Sequence, residues 1–386
     1  SNNVFNQTAV VSLDLPKVAK VEDGGIANCS NLQSVNLPKC ERLNWGAMVW
    51  NPNLTTINIP VCVNIAGGVF ENDSSLTEID LSKTYWCRLE DTGAFNGTPL
   101  MDGEGTIKVH NSVLSKFQSD SNWSQLAERF VGVGDTDSQM LAFDNGRVYG
   151  DTYVIDSNYL EFLGISSDSV TSLDLPNVDR IYKNDWGEGI SFENYNSLTQ
   201  ISLANATYIG NYGFKYCFSL TSISLPKCKY IGSQAFDNDV NIQSIDLPEC
   251  ETVGDNAFQG CMLAQSLNLP KCRAINGNAF RGCAALTSIS LPECTYVGQS
   301  VFAECSGLTS INLPKCTWME YNAFGGNPAL KTITVGTGLN EVALMDVGAF
   351  NGSDNIEAIY VPAALVDAYK TNWAWGQYAD KIFAVE

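Results

Sequence analysis

Apolar and polar positions along this chain recur with a period of 22 residues. In one copy of the pattern, the apolar residues Leu220, Ile223 and Leu225 are separated by polar positions and followed by Pro226. The same phrase returns around five later residues: Ile242, Ala264, Leu286, Leu308 and Leu330. A strict period of this length predicts a solenoid, a stack of similar coils in which each coil contacts only its neighbours.

Each coil is predicted to contain one short strand and one outer turn. The apolar residues before Pro226 have the LxxIxL spacing of an inward-facing strand, and proline ends the strand because it has no backbone donor. Ile231, Ala235 and Phe236 follow at near-helical spacing, which predicts a helical or 3-10 turn on the outer side of the coil. Gly232 precedes this turn, where a tight bend favours a residue without a side chain. A purely helical solenoid is disfavoured, since its repeats need about 40 residues.

Side chains in equivalent positions are predicted to form columns along the stack. The phenylalanine column is the clearest: Phe192, Phe214, Phe236, Phe258, Phe280, Phe302 and Phe324. Most of the 13 cysteines fall into two further columns, which include Cys228, Cys250, Cys272, Cys294 and Cys316 in one and Cys217, Cys261, Cys283 and Cys305 in the other. Cysteine at a repeat position fills a core as a small apolar residue, so buried, reduced thiols are predicted. Disulfides between coils stay open as the alternative, since neighbouring coils lie about 5 Å apart.

The repeats are divided into two tandem arrays, predicted as domains 1–134 and 135–386. The first array starts near Val10, and the second restarts at Val170. The junction contains Gly132–Asp137, followed by strand-like residues that are predicted to seal the front of the second array.

Both arrays end in the same way. Ile107–Val109 and Ile359–Val361 have the pattern of a last strand, and each is followed by a stretch with an equivalent tryptophan, Trp123 or Trp375. Each ending is predicted to be a strand followed by two short amphipathic helices. Such a segment covers the exposed apolar end of an array, which a solenoid needs for solubility.

Composition and charge exclude several classes of partner. The chain has 386 residues and is 45% hydrophobic, with 42 acidic against 22 basic residues and a net charge of −20. A nucleic-acid backbone or an anionic lipid surface requires clustered basic residues, so both are disfavoured. No apolar run approaches the roughly 18 residues of a membrane helix. The chain opens at Ser1 without an apolar signal segment, and any export signal is expected to have been removed.

One charged column supports the stacking. The residues after the repeat prolines alternate in sign: Lys227, Glu249, Lys271, Glu293 and Lys315. In-register stacking of like charges is destabilising, and alternation removes this repulsion.

No residue constellation predicts catalysis or a cofactor. His110 is the single histidine, which argues against histidine-dependent triads and histidine-rich metal sites. The cysteines have no CxxC spacing, so a zinc site is not predicted. Gly132 and Gly134 lack the strand-to-helix context of a nucleotide loop, and Asp135 and Asp137 lack the remaining ligands of a calcium loop. A non-enzymatic protein without cofactor or metal is therefore expected.

Two surfaces and one loop are candidate binding sites. The strand positions on either side of the inward isoleucine form a flat, small, polar face that includes Ser222, Ser224, Asp246 and Asn268. The residues before the second inward position form a broken aromatic stripe: Tyr208, Tyr230, Tyr296 and Trp318. Exposed aromatic residues in a row are common anchors of protein interfaces and sugar platforms. Trp186, on an inserted loop, is the best single anchor candidate. A solvated sheet face and half-buried packing between coils remain the structural alternatives.

The 22-residue repeat of this chain resembles that of the BspA-like leucine-rich repeat family, which reads roughly LxxIxLPxxxxxIGxxAFxxC. Leu220–Pro226, Ile231–Gly232, Ala235–Phe236 and Cys283 match it, and Ser82 and Ala204 depart from it where proline is expected. The resemblance implies an α/β leucine-rich repeat solenoid, a right-handed superhelix with one short parallel strand per 22-residue coil and two tandem arrays that each end in a short helical cap.

The same resemblance implies a function. Members of the family are typically exported or surface-held bacterial proteins, and some adhere to host matrix proteins. We therefore expect a non-enzymatic extracellular or cell-surface protein that binds a protein or glycan partner, not nucleic acid, and that does not insert into a membrane. The alternatives are a structural spacer of the cell surface without specific ligand and a glycan-binding module.

Overall fold

The computed structural model describes residues 4–84, 86–134, 142–144, 147–149, 160, 165–181 and 191–385. The chain forms two compact units, one containing Ser1–Ala142 and the other Ile155–Glu386, with Phe143–Tyr149 in the second unit. The predicted junction residues Asp135 and Asp137, most of the predicted front-sealing strand residues and the inserted loop with Trp186 lie outside the described residues.

The first unit contains two ladders of short strands. The first ladder is a six-stranded sheet that follows chain order: Ser12–Asp14, Ser34–Asn36, Thr56–Asn58, Glu78–Asp80, Thr106–His110 and Phe130–Val133. The second ladder has four two-residue strands: Lys20–Val21, Arg42–Leu43, Asn64–Ile65 and Arg88–Leu89. Neighbouring strands of the early coils pair in parallel with a register shift of one repeat, as in Leu13 with Val35.

The second unit repeats this arrangement over more coils. Its first ladder comprises three sheets: Ala142–Asp144, Arg147–Tyr149, Ser172–Asp174 and Gln200–Ser202; then Ser222–Ser224, Ser244–Asp246 and Ser266–Asn268; then Ser288–Ser290, Ser310–Leu313, Thr332–Val335, Ala358–Val361 and Ile382–Ala384. Its second ladder is one eight-stranded sheet: Arg180–Ile181, Tyr208–Ile209, Tyr230–Ile231, Thr252–Val253, Ala274–Ile275, Tyr296–Val297, Trp318–Met319 and Leu344–Met345.

The second ladder is the main addition to the predicted coil. The predicted strand of each coil is present, and Ile231, predicted to begin the outer turn, instead lies in a second strand. The Gly232 amide donates to the Ile209 carbonyl of the preceding coil at 2.7 Å. Such bonds between coils satisfy the backbone groups that a helix would satisfy within itself. The segment after Gly232 is a series of turns, and the equivalent segment is a 3-10 helix at Thr92–Phe95.

Most coils have two residues in left-handed backbone conformations, which bend the chain around the outer turn. In one coil these are Asn256, with φ of 56°, and Gly260, with φ of 74°. Asparagine and glycine tolerate this region best, which explains why many of these positions carry one or the other. Gly232 is needed for a different reason. A Cβ atom there would lie 2.5 Å from the Gly210 carbonyl carbon of the preceding coil, so close stacking of backbones excludes a side chain.

The core consists of the predicted columns. Successive phenylalanine rings from Phe192 to Phe350 lie 5.1 to 5.5 Å apart between centroids, and neighbouring planes are tilted by 3° to 14°. All 13 cysteines are buried, as predicted, and each is a free thiol. The alternating charges also pair: Lys271 bonds Glu249 at 2.6 Å, and Lys315 bonds Glu293 at 2.7 Å. Each of these exposed pairs contributes about 0 to 1 kcal/mol.

Both predicted caps are present, and each contains one more strand than predicted. The short α-helices are Leu114–Ser119 and Val366–Thr371, and the 3-10 helices of the caps are Asn111–Val113, Ser124–Arg129, Ala363–Leu365 and Trp375–Lys381. A further 3-10 helix, Ser167–Ser169, precedes the first repeat of the second unit. After the cap helices the chain returns to the first ladder, where Phe130 pairs with Ile107 and Ile382 pairs with Ile359.

A buried tryptophan fastens each cap to its array. The Trp123 indole donates to the Cys87 carbonyl at 2.8 Å, and the Trp375 indole donates to the Ala343 carbonyl at 2.7 Å. Both side chains are fully buried. The indole buries a large apolar area while its N–H remains bonded, so the cap can close the core without an unsatisfied donor.

Candidate interaction surfaces

The predicted polar face lies on the first ladder of the second unit. Ser222, Ser224 and Asn268 are exposed and Asp246 is half-buried. Ser224 pairs in register with Asp246, which pairs with Asn268, so the three side chains form one row across adjacent coils. The Asn268 amide donates to Asp246 Oδ1 at 2.6 Å, and Ser224 Oγ donates to Asp246 Oδ2 at 3.4 Å. The structure therefore brings these four candidates together on one face, and their mutual hydrogen bonds order the row.

The first unit has an equivalent row that the sequence analysis missed. The Asn36 amide donates to Asp14 Oδ1 at 2.8 Å, and the Asn58 amide donates to Asn36 Oδ1 at 2.5 Å. These residues are spaced by one repeat, so the column was visible in the sequence. Each unit thus presents a strip of hydrogen-bonded amides and carboxylates on its first ladder.

The predicted aromatic stripe occupies the first position of the second-ladder strands. Tyr208 and Tyr230 are stacked with their ring centroids 4.9 Å apart and their planes 10° apart. Thr252 and Ala274 interrupt the stripe, as the sequence indicated. Tyr296 then follows as the register partner of Trp318 in the next coil. The stripe therefore consists of two separate pairs.

The two pairs differ in what they offer a partner. Tyr208 and Tyr230 each pack one ring face against the other, as expected if these side chains serve packing between coils. The Tyr296 hydroxyl donates to Glu320 Oε1 at 2.8 Å. Burial and this hydrogen bond raise the pKa of Tyr296 to about 12, so it is a neutral donor near neutral pH. Trp318 is 37% exposed and is the most accessible member of the stripe.

Several exposed apolar side chains were not predicted. Tyr321, Leu344 and Val347 are 46% to 50% exposed; Tyr321 lies in the same coil as Trp318, and the other two lie in the next coil. In the first unit, Trp45 is 61% exposed, and its ring covers Gly67 so closely that a Cβ there would lie 2.6 Å from it. The available signal was a departure from the repeat, since the preceding coils of the second unit carry small or polar residues where Tyr321 stands.

A column of buried polar residues runs along the core, partly in the second cysteine column. Asp239 Oδ1 accepts the Cys217 amide at 2.6 Å, and Asp73 Oδ1 accepts the Asn51 amide at 2.7 Å. Among the described residues, the Oδ2 atom of each aspartate is buried without a hydrogen-bond partner. Burial raises the pKa of Asp239 to about 8 and that of Asp73 to about 9. These carboxyl groups lie inside the stack, where a substrate has no access, so they belong to the core.

The thiols are poorly suited to covalent chemistry. Burial raises the pKa of Cys228 to about 11 and those of Cys250 and Cys305 to about 12. A nucleophilic or metal-binding cysteine needs a depressed pKa, because the thiolate is the reactive form.

The described part of the chain contains no group of three histidine, cysteine or acidic side chains placed to hold a metal ion. His110 accepts the Ser112 amide at 3.2 Å and thereby caps the 3-10 helix Asn111–Val113 of the first cap. Across the same residues, every helix is too short or too polar to cross a bilayer.

Comparison with known proteins places the repeat in a family. Residues 1–120, 187–272 and 251–372 match a model of the BspA type leucine-rich repeat region, which occurs in 6 copies. Among curated protein sequences, none matches this chain.

Similar solved structures include bacterial leucine-rich repeat proteins of low identity. One from Bacteroides ovatus is 15% identical, with a TM-score of 0.44 over 97% of this chain and 92% of that chain. One from T. pallidum is 19% identical, with a TM-score of 0.38 over 61% of this chain and 93% of that chain. A leucine rich cell surface protein from Faecalibacterium prausnitzii is 16% identical, with a TM-score of 0.28 over 91% of this chain and 88% of that chain.

Proposed function

Because the chain belongs to the BspA type leucine-rich repeat family, we propose that it is a non-enzymatic, exported or cell-surface protein whose solenoid binds a protein partner. The family model matches more than half of the chain. A solenoid offers an extended surface of repeated positions, and its function depends on which side chains occupy those positions.

The observation that carries this proposal is the ordered polar face of the second unit. Ser224, Asp246 and Asn268 lie in register on one ladder with two hydrogen bonds between them, and Ser222 lies on the same strand as Ser224. A partner that docks there meets side chains whose positions are already fixed, so little conformational entropy is lost on binding. The face consists of small polar side chains repeated on paired strands. This suits a protein surface better than a small molecule, since small ligands bind in concave pockets.

The chemistry of the chain supports a non-enzymatic role. Its buried thiols are held in the protonated form by raised pKa values, as for Cys228. The buried acids Asp73 and Asp239 lie within the core. Its single histidine caps a helix in the first cap. None of these groups combines an activated side chain with an open cleft, which catalysis requires.

Burial of the cysteines is compatible with export. Oxidising compartments convert exposed thiols into disulfides, whereas a thiol in a closed core is protected from oxidants. All 13 thiols of this chain are buried.

A glycan partner is the second candidate, and the accessible half of the aromatic stripe favours it. Sugar rings stack on open aromatic faces, and Trp318 provides one. Tyr208 and Tyr230 are less suitable, because each has one face against the other. A structural spacer without a specific ligand is the remaining alternative.

Binding assays on variants separate these functions. The intact chain, Trp186→Ala and the double variant Tyr230→Ala/Trp318→Ala are tested against purified matrix proteins and a glycan array, with Phe218→Ala as a control for loss of an exposed aromatic elsewhere. We expect saturable binding of at least one protein. Loss of it only in Trp186→Ala assigns the loop, and loss of sugar binding in the double variant assigns the stripe. Self-association without any ligand would contradict the proposal and favour the spacer.

A further inference from the structure

The last two coils of the second ladder carry a surface patch that is absent from the preceding coils. The C-terminal patch consists of Trp318, Glu320 and Tyr321 in one coil and Leu344, Asp346 and Val347 in the next. Its four apolar side chains are 37% to 50% exposed. Exposed apolar side chains that cluster, as opposed to single ones, mark interaction sites.

Strand register places the patch residues side by side. Trp318 pairs with Leu344 and Met319 pairs with Met345. Glu320 and Asp346 follow in equivalent positions, and each donates its amide to the preceding coil at 2.9 Å. Because parallel strands lie about 4.8 Å apart, the two acidic residues are neighbours across the coils. Trp318 and Leu344 precede them, and Tyr321 and Val347 follow them.

This charge pair is a local departure from the repeat. In the preceding coils the position of Glu320 is neutral: Gly210, Gly232, Gly254, Asn276 and Gly298. Like charges in register repel each other, and in the column Lys227–Lys315 an alternation of sign avoids that repulsion. Stacking of the coils does not need the two acids, since the neutral coils stack equally well.

Within the described part of the chain, no basic side chain neutralises the pair Glu320 and Asp346. Neither Glu320 nor Asp346 forms an ion pair within the described part of the chain. The basic residues of these two coils, Lys315 and Lys331, are bonded to Glu293 and Glu357 at 2.7 and 2.9 Å. The patch is therefore apolar with an uncompensated negative centre.

The patch is also held in place before any ligand arrives. The Tyr321 ring lies against Gly348, where a Cβ would be 2.5 Å from Cε2, and its hydroxyl accepts the Asn351 amide at 3.2 Å. Asp346 Oδ1 accepts the Gly348 amide at 3.0 Å, and Glu320 accepts the Tyr296 hydroxyl at 2.8 Å. Such preorganisation lowers the entropic cost of binding.

We propose that the C-terminal patch docks a basic segment of a partner protein, with an arginine or lysine at Glu320 and Asp346 and apolar side chains against Trp318, Tyr321, Leu344 and Val347. This inference rests on the proposed protein-binding function and names the site and the chemistry of the partner. A cation beside two carboxylates and two aromatic rings gains both ion pairing and cation–π attraction. A second copy of this chain is disfavoured as the occupant, since both copies carry a net charge of −20.

The test uses a fluorescent peptide of alternating arginine and leucine and a matched peptide with glutamate in place of arginine. Fluorescence anisotropy is measured on the intact chain, on Glu320→Gln/Asp346→Asn and on Tyr321→Ser, which carries the residue that stands at the equivalent Ser233. We expect saturable binding of the basic peptide only, weakened about tenfold or more by either variant, which corresponds to roughly 1.4 kcal/mol. The control Asp354→Asn/Asp380→Asn removes the same charge at two exposed positions outside the patch and should leave binding within about twofold.

Three results would overturn the proposal: no saturable binding below about 1 mM peptide, equal weakening by the patch and control double variants, or equal binding of the acidic peptide. Circular dichroism of each variant checks that the coils remain folded. The purified-protein panel is run in parallel. A partner that binds the intact chain and Glu320→Gln/Asp346→Asn equally refutes the patch alone, whereas the absence of any protein partner refutes the broader function.

Discussion

Lowering the pH should stabilise the second unit through the buried carboxyl group of Asp239, and replacing Asp239 by asparagine should remove this effect. The side chain is fully buried, and its Oδ1 accepts the Cys217 amide at 2.6 Å. Burial raises its pKa from 3.8 to about 8, with a smaller contribution from the neighbouring Asp237. Lys215 pairs with Asp237 at 3.1 Å. Cys261 flanks the carboxyl in the next coil, and its own pKa is raised by burial.

The sign and size of the effect follow from proton linkage. The folded state binds the proton more tightly than the unfolded state, so the stabilisation is complete below the unfolded pKa of 3.8 and is lost as the pH rises to about 8. Within this window the slope is about 1.4 kcal/mol per pH unit. Acidification from about pH 7 to about pH 5 should therefore stabilise the second unit by about 3 kcal/mol through this group.

Asparagine is a suitable replacement because the chain already uses it in this column. The Asn327 amide donates to the Phe302 and Phe324 carbonyls at 2.9 and 2.8 Å. Asp239→Asn should place an uncharged donor at the equivalent carbonyls of its own coils. At about pH 7 the variant should be more stable than the parent by roughly 2 to 4 kcal/mol, because folding no longer requires the protonation of a carboxyl group that is ionised in the unfolded chain at this pH.

Native-state hydrogen exchange resolves the effect unit by unit, which matters because repeat arrays need not unfold in one step. Opening free energies of second-unit amides are measured between about pH 5 and about pH 8. Asp239→Asn should flatten their pH dependence, while the first unit keeps its own from Asp73, whose pKa burial raises to about 9. Asp354→Asn makes the same substitution at an exposed site and should leave the slope unchanged. An unaltered slope in Asp239→Asn, or a less stable second unit near neutral pH, would refute the reasoning.

Three further outcomes follow from the stacking. Phe258→Ala should destabilise the second unit by about 3 to 5 kcal/mol in urea unfolding, because it leaves a cavity in the column of phenylalanine rings. The same substitution at the exposed Phe218 should cost less than about 1 kcal/mol. Similar losses of stability in the two variants would contradict the buried column. Gly232→Ala should cost about 1 to 3 kcal/mol by overpacking against the preceding coil, and Gly277→Ala, whose nearest neighbour would be 3.3 Å away, should be tolerated; the test fails if the two behave alike. A disulfide-exchange reagent near neutral pH should modify almost no thiol of the folded chain and all 13 in denaturant. The thiols are buried and protonated in the folded chain; burial raises the pKa of Cys228, for example, to about 11. Rapid labelling of the folded chain would exclude a closed core.

Much of the fold could be read from the period alone. Equivalent residues such as Phe236 and Phe258 had to share an environment once the coils stacked, and the stacked rings confirm it. The polar face was predictable for the same reason, since Ser222 and Ser224 flank an inward isoleucine in a strand whose side chains alternate.

Other features have no periodic signature. The second ladder contains strands of only two residues, such as Tyr230–Ile231, which are too short to show alternation. The returning strands Phe130–Val133 and Ile382–Ala384 each occur once per array, so no repeat identified them. Their strand conformation comes from pairing with the preceding strand in space.

The sequence by itself determined the repeat length, the stacking of coils, the inward columns and the two caps, because a 22-residue pattern leaves one way to bury the same positions repeatedly. Only the tertiary structure decided which outward residues are usable. Tyr208 and Tyr230 stack on each other, while Trp318, Tyr321, Leu344 and Val347 stay exposed around Glu320 and Asp346. It also decided that Asp239 is buried with an unpaired oxygen. Exposure and ionisation depend on what the neighbouring coil places against a side chain, and that is a property of distances in space and not of order along the chain.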